Sequence, residues 1–258
     1  MMRADVYLVE NGYVKSRQKA KTLIDDGRVR VDGIVLKKPS VEIDDSAQHN
    51  VVVVDDCPYV SRGGLKLEKI IEHLKLDLNG VVALDIGAST GGFTHCMLLN
   101  GASRVYAVDS GTDQLDSSLK NDERVISIEN FNARNLSNEI IDQEVDIITV
   151  DVSFISQTLI IPSAIELLKE NGIYIGLIKP QFEVGKSKVG KGGIVKDKKY
   201  RKEAVEKVLD SACTYNLACI ALIESPITGG DGNVEYVAAF KKSQYNLDNK
   251  KFVKFIFR

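Results

Sequence analysis

Five apolar, β-rich runs recur along this chain with helix-length stretches between them: Val81 to Ile86, Val105 to Asp109, Val125 to Glu129, Ile147 to Asp151 and Ile173 to Lys179. Short strands alternating with helices make βαβ units, whose crossover helices cover both faces of a parallel sheet. An open parallel sheet binds ligands outside the carboxyl ends of its strands, so the residues that end these runs are the ones to inspect. Two more strands, Ala218 to Glu224 and Val234 to Phe240, flank a turn containing Gly229-Gly230-Asp231-Gly232. That connection is too short for a parallel crossover, so the two are expected to pair antiparallel.

Upstream, four valines (Val51 to Val54) end in Asp55-Asp56-Cys57-Pro58. Proline cannot donate to a central sheet ladder, which makes this a natural break. Residues 1–56 are predicted to form a small α+β module, 57–62 a linker and 63–258 the α/β domain. In the module, Ser16 is a plausible N-cap for a helix through Ile24, closed by Asp26-Gly27, and short strands follow around the turn Asp32-Gly33. Arg17, Lys21, Arg28 and Arg30 are expected to share one surface, with Ala20, Leu23 and Ile24 facing inward.

With 44% hydrophobic and 27% charged residues, the 258-residue chain has ordinary globular composition, and general disorder is excluded. No apolar run reaches the roughly 18 residues of a membrane span, and residues 1–20 lack the apolar core of a signal peptide, so a cytoplasmic protein is expected. The four cysteines include no C-x-x-C pair, and only three histidines accompany them, so neither a zinc site nor a disulfide framework is predicted. The net charge of −2 hides a segregation: residues 15–38 carry +5 and residues 179–202 carry +7, on a body of −14. Two basic segments on an acidic body point to two contacts with a polyanion.

The run Val81 to Ile86 passes into Gly87-Ala88-Ser89-Thr90-Gly91-Gly92 and then a helix starting at Phe93. The spacing misses the dinucleotide pattern, because Ser89 stands where its second glycine belongs, and it lacks the Lys-Ser/Thr of a P-loop. Acid placement sharpens the reading. Asp85 precedes the first glycine and Asp109 ends the next strand, where a carboxylate accepts from ribose hydroxyls. Asp85 would repel a pyrophosphate but suits the ammonium and sulfonium of S-adenosylmethionine, so that cofactor is favoured over NAD.

Four residues attributed to strand ends complete a candidate catalytic set: Lys66, Asp151, Lys179 and Glu235. Each alone reads more readily as an ion-pair partner. Together, two lysines and two acids at one rim suit deprotonation of a ribose hydroxyl, a very weak acid that needs a neutral amine held close to it. A base target is a competing reading, but no Cys or Asn-Pro-Pro-Tyr signature stands beside Asp151. A non-catalytic RNA-binding assembly factor is another, and it predicts a broken set.

These segments resemble the TlyA, or haemolysin-A-type, rRNA cytidine-2'-O-methyltransferases. The resemblance rests on Ser16-Arg17 to Gly27, Val31-Asp32-Gly33, Tyr59 to Leu67, Asp85 to Thr94, Asp151 to Ser156, Lys179 to Glu183 and Gly232 to Tyr236, in order over nearly the whole chain. It implies a class I S-adenosylmethionine-dependent methyltransferase fold, Rossmann-like, with a mostly parallel seven-stranded sheet whose last strand is antiparallel. A ribosomal-protein-S-four-like RNA-binding module precedes it. It also implies a Lys-Asp-Lys-Glu tetrad at Lys66, Asp151, Lys179 and Glu235 with Lys179 as base. The cofactor site would comprise Asp85, Gly87, Ala88, Ser89, Thr90, Gly91, Gly92, Phe93, Asp109 and Asn132, where Asn132 replaces an Asp and Thr90 a Pro of the wider FtsJ-like pattern. Expected RNA contacts are Arg3, Lys15, Arg17, Lys21, Arg28, Arg30, Arg62, Lys186, Lys188 and Lys191, with 185–193 a flexible cationic loop. The partner is ribosomal RNA, by the short tail that of the large subunit only, with no metal and no membrane. Lysis, implied by the haemolysin label, is a distant second function.

Overall fold

The computed structural model describes every residue except Lys15, Asp55, Asp56, Gly230, Asp231 and 244–248. The candidate RNA contact Lys15, the acids of the break at Asp55-Asp56 and the middle of the turn at Gly230-Asp231 therefore lie outside the described residues. The chain divides into two compact units, Met1–Arg62 and Gly63–Arg258. Residues 57–62 sort with the first unit rather than standing apart: within it Arg62 reaches the Asp26 carboxylate at 3.7 Å.

The first unit comprises β1 (Met2–Arg3), α1 (Ala4–Glu10), α2 (Arg17–Asp25), β2 (Val29–Val31), β3 (Ile34–Val35), β4 (Glu42–Ile43) and β5 (Val51–Val53). Ser16 caps α2 by accepting from the Lys19 amide at 3.2 Å, and Gly27 leaves the helix at φ +69°. Ala20, Leu23 and Ile24 face inward against Ala4, Tyr7, Leu8 and Val29. No helix is expected from the sequence before Ser16, yet α1 forms. Its Ala4, Tyr7 and Leu8 have helical spacing, but seven residues without a side-chain cap give a faint signal. Strands β3, β2 and β5 form an antiparallel sheet, and β1 pairs with β4.

The second unit runs α3 (Gly63–Leu74), β6 (Val82–Ile86), α4 (Gly92–Leu99), β7 (Arg104–Val108), α5 (Ser117–Lys120), β8 (Val125–Ile128), β9 (Val145–Val150), α6 (Ile161–Ile165), β10 (Leu168–Ile178), α7 (Pro180–Glu183), α8 (Lys198–Thr214), β11 (Leu217–Glu224), β12 (Tyr236–Lys242) and α9 (Lys250–Ile256). Seven strands make one sheet in the order β11-β12-β10-β9-β6-β7-β8. Leu84, Ile86, Ile148, Val150, Tyr174 and Ile178 are buried in its core, each such apolar side chain contributing about 1.5–3 kcal/mol of transfer free energy.

Strand β12 slots between β10 and β11 and runs antiparallel to both. It starts two residues later than expected, so Glu235 stands just before it rather than inside it. Its register pairs Tyr236 with Ile178, which brings Glu235 to the edge where β10 ends. The same edge is set by Ile86 beside both Val108 and Val150. Lys66, expected at a strand end, sits instead in the first turn of α3. All four cysteines are free, Cys96 and Cys219 buried and Cys57 and Cys213 half-buried.

Candidate functional site

At the carboxyl edge the chain turns sharply after β6. Gly87 adopts φ +83°, and a Cβ there would stand 2.5 Å from the backbone oxygen of Asp151, so only glycine lets the turn pass so close to the segment after β9. Gly87 and Ala88 both donate backbone N–H to the Val108 carbonyl, at 2.8 and 3.1 Å. Asp109 bridges two turns: one oxygen accepts from the Ser89 amide at 2.8 Å and the other from the Gly111 amide at 2.7 Å.

These turns open onto a cavity of about 490 Å³, within the size range of small-molecule sites. Of the ten expected cofactor residues, Gly87, Ser89, Asp109 and Asn132 line it. Ala88, Thr90, Gly91, Gly92 and Phe93 do not; Gly92 and Phe93 are buried at the start of α4. Asp85 does not line it either. Its carboxylate is wholly buried and accepts from the hydroxyls of Thr94 at 2.6 Å and Thr149 at 2.9 Å. Burial pushes its pKa up to about 6, against the lowering effect of those two hydrogen bonds. Asp85 is thus a brace between β6, β9 and α4 rather than a group facing the cavity. Asn132 uses its side-chain oxygen to cap the turn Ala133–Asn135, accepting from the Arg134 amide at 3.1 Å.

Three contributors escape sequence reading. Gln114 lines the cavity, and Glu129 shapes its loop by accepting from the amides of Asp113, Gln114 and Leu115. The signal was available, because Glu129 follows β8 as Asp109 follows β7. Phe154 also lines the cavity; it is 92% exposed, holds φ +63° and leans on Phe182 with ring centroids 5.1 Å apart. An aromatic residue in the left-handed region costs strain that surrounding structure must hold in place.

The candidate tetrad sorts into two ion pairs. Lys179, just after β10, lies 2.6 Å from Asp151 Oδ1, and its Nζ donates to Ser153 Oγ at 2.9 Å. Lys66 donates to Glu235 Oε2 at 2.6 Å, and both side chains are nearly buried. Asp151 and Ser153 line the cavity; Lys179 does not, and its amine stands behind them, in contact with both.

The expected RNA contacts are less uniform. Arg3 and Arg17 both bond the buried Asp5 carboxylate, at 2.9 and 3.0 Å, so both have a structural task within the first unit. Burial raises the Asp5 pKa, and the bonds from the two arginines outweigh it, leaving the net value below the ordinary one. Lys188 pairs with Glu203 and lies over the Tyr200 ring. Arg30, Lys186 and Lys191 are exposed, Lys21 and Arg28 half-buried. The loop 185–193, expected to be loose, contains two short 3-10 turns. Its end is pinned by the buried Asn233, whose amide donates to Gly193 O and whose oxygen accepts from Val195 N, each at 2.9 Å. Among the described residues no group of His, Cys, Asp and Glu is placed to hold a metal, and no helix is long and apolar enough to cross a membrane.

A seven-stranded sheet with one inserted antiparallel strand, a glycine turn and an acid after the neighbouring strand define a class I methyltransferase, whose methyl donor is S-adenosylmethionine. Comparison with known proteins agrees: residues 59–242 match the FtsJ-like methyltransferase family and residues 2–48 match the S4 domain. A protein named Hemolysin A from Brachyspira hyodysenteriae is 43% identical over 93% of this chain and 99% of its own length. The 16S/23S rRNA (cytidine-2'-O)-methyltransferase TlyA of Mycobacterium tuberculosis is 41% identical over 91% of this chain and 87% of its own. A solved Streptococcus thermophilus structure superposes with a TM-score of 0.77 at 37% identity, covering 98% of this chain and 94% of that one. The chain belongs to the TlyA, or haemolysin-A-type, family of FtsJ-like methyltransferases.

Proposed function

We propose that this chain moves a methyl group from S-adenosylmethionine to the ribose 2'-hydroxyl of a cytidine in ribosomal RNA, that of the large subunit, in the cytoplasm. The observation that carries the reading is the contact of the Lys179 amine with Asp151 and Ser153, two residues of the cavity wall. The relative named for 16S/23S cytidine 2'-O-methylation supports the substrate class, and the S4 match supports RNA as the partner.

The cavity suits the cofactor by size and by chemistry. Asp109 keeps two of its roughly four acceptor sites beyond the two backbone amides it already holds, enough for the two hydroxyls of a ribose. Asn132 lies on the same wall, within the lining that would meet an adenine. S-adenosylmethionine supplies a methyl group already activated on sulfonium.

For the chain's own residues, the remaining tasks are alignment and proton removal. Ser153 accepts one hydrogen bond from Lys179 Nζ and the Asp151 carboxylate lies 2.6 Å from it, leaving a direction for the substrate hydroxyl. In its neutral form that amine takes the hydroxyl proton as the oxygen gains the methyl group. Lys66 and Glu235 fix the neighbouring edge, tying α3 to the start of β12. Both pairs are complete, which favours an enzyme over a non-catalytic binding factor. The exposure of Arg30, Lys186 and Lys191 supports contacts with phosphates, which position RNA without reading its sequence.

The test is methyl transfer from labelled cofactor to 16S and 23S rRNA within ribosomal subunits, followed by alkaline hydrolysis. A 2'-O-methylcytidine in 23S rRNA resists cleavage at its own phosphate and supports the reading. Label on a base, or label confined to 16S rRNA, contradicts it.

A further inference from the structure

Glu183 is a buried carboxylate that the chemistry above leaves without a task. Its side chain is 3% exposed, and it accepts three hydrogen bonds: from Ser156 Oγ, from the Gln157 amide at 2.9 Å and from Lys207 Nζ at 3.2 Å. Removing a carboxylate from water is costly unless it is paired and hydrogen-bonded, and this one is both. Its place in the chain is what matters. Glu183 ends α7, four residues after Lys179, while Ser156 and Gln157 follow Ser153 by three and four.

The segments after β9 and β10 are therefore joined by successive contacts. The outer one, Lys179 to Asp151 and Ser153, faces the cavity. Next comes the ring contact of Phe154 with Phe182. The innermost joins the buried Glu183 carboxylate to Ser156 and Gln157, with the half-exposed Lys207 beside it. Gln157 is in turn fixed to the sheet: it is 1% exposed, donates to the Leu177 carbonyl at 3.2 Å and accepts from Tyr174 OH at 3.3 Å. Strand β10 makes room for it with Gly176, where a Cβ would stand 2.0 Å from Gln157 Oε1. Lys207 of α8 closes the far side, donating also to the Glu183 carbonyl at 2.9 Å.

We propose that Glu183 is a positioning residue for methyl transfer: by locking α7 to the segment at Ser156-Gln157, it sets the distance between the Lys179 amine and the cavity. The outer pair cannot do this alone. Its amine takes the substrate proton, so its contacts with Asp151 and Ser153 change during that exchange. The inner rung is sheltered from that exchange and holds the two segments in register while the outer contacts change. This rests on the reading of Lys179 as the base.

The test compares Glu183→Asp and Glu183→Gln in the full chain, beside Lys179→Ala. Asp keeps the charge but withdraws the carboxylate by a methylene; Gln keeps the length and one acceptor for the Gln157 amide. Expected is a tenfold or greater loss of kcat in Glu183→Asp, with KM for the ribosomal substrate and cofactor affinity within twofold of wild type. Glu183→Gln should retain kcat within about threefold. A merely structural carboxylate would instead lower kcat, substrate binding and cofactor affinity together, and that result overturns the proposal, as does a wild-type kcat in Glu183→Asp. If Lys179→Ala stays active, the base assignment falls on its own; if it is inactive while Glu183→Asp is unaffected, only the positioning role falls.

Discussion

Lys66 Nζ lies 2.6 Å from Glu235 Oε2, a contact between residues 169 positions apart that joins the first turn of α3 to the start of β12. Both side chains are nearly buried, so each is the other's main compensation for lost water. Deleting one partner strands the other, which costs about 3–5 kcal/mol, whereas replacing both with apolar groups of similar size is often neutral. Lys66→Ala should therefore destabilise the second unit by several kcal/mol in urea titration. Lys66→Met combined with Glu235→Leu should recover most of that loss. Equal losses in the single and double variants would show that the pair is not a coupled unit.

Asp85 makes the stability of the second unit depend on pH. Its folded pKa of about 6 exceeds the ordinary 3.8, so between these values the folded chain holds the extra proton. Stability from this group is then greatest below pH 3.8, falls as pH rises through 6 and stays at its minimum above. The difference corresponds to about 3 kcal/mol. Asp85→Asn should be more stable than wild type at pH 8 by up to that amount, with the gap narrowing towards pH 5. Parallel stability curves across that range would contradict the burial argument.

Gly87→Ala places a methyl group 2.5 Å from the Asp151 carbonyl oxygen, a backbone atom with little freedom to move, and forces φ +83° on an alanine. Cofactor affinity measured by calorimetry should fall at least tenfold, because the turn and the Asp151 segment must separate. An unchanged affinity would mean that the turn relaxes without disturbing the cavity.

How much of this was legible in the sequence follows from what each feature depends on. Strand positions and the glycine turn rest on local pattern, and most emerge within a residue or two; β9 begins two residues and β10 five residues before its apolar run, because polar residues such as Asp146 and Lys169 extend them. The burial of Asp85 was not readable, since it depends on Thr149, its register partner across the sheet, and on Thr94 of the next helix. The helical setting of Lys66 was obscured by Gly63-Gly64, a pair that reads as a break but opens α3. The internal task of Arg3 and Arg17 was hidden because the helix that buries Asp5 carries so faint a signal.

Exposed cations should act through phosphate. Arg30→Glu and Lys191→Glu are each expected to weaken rRNA binding and to reduce the slope of log affinity against log salt by about one per contact removed. Cofactor affinity should not change. Deleting residues 1–56 should leave a unit that binds cofactor but methylates ribosomal RNA at less than a tenth of the full rate; full activity would assign the first unit another task.

Lys179 carries the central claim, and single-turnover methyl transfer to ribosomal subunits by Lys179→Ala, with cofactor affinity measured on the same preparation, tests it most directly. Removing the amine takes away the proton acceptor but no cavity-lining contact. The 2'-O-methylation rate should fall by at least a hundredfold while the affinity for S-adenosylmethionine stays within threefold. A rate above a tenth of wild type with affinity intact would contradict the assignment and make Lys66 the next amine to test.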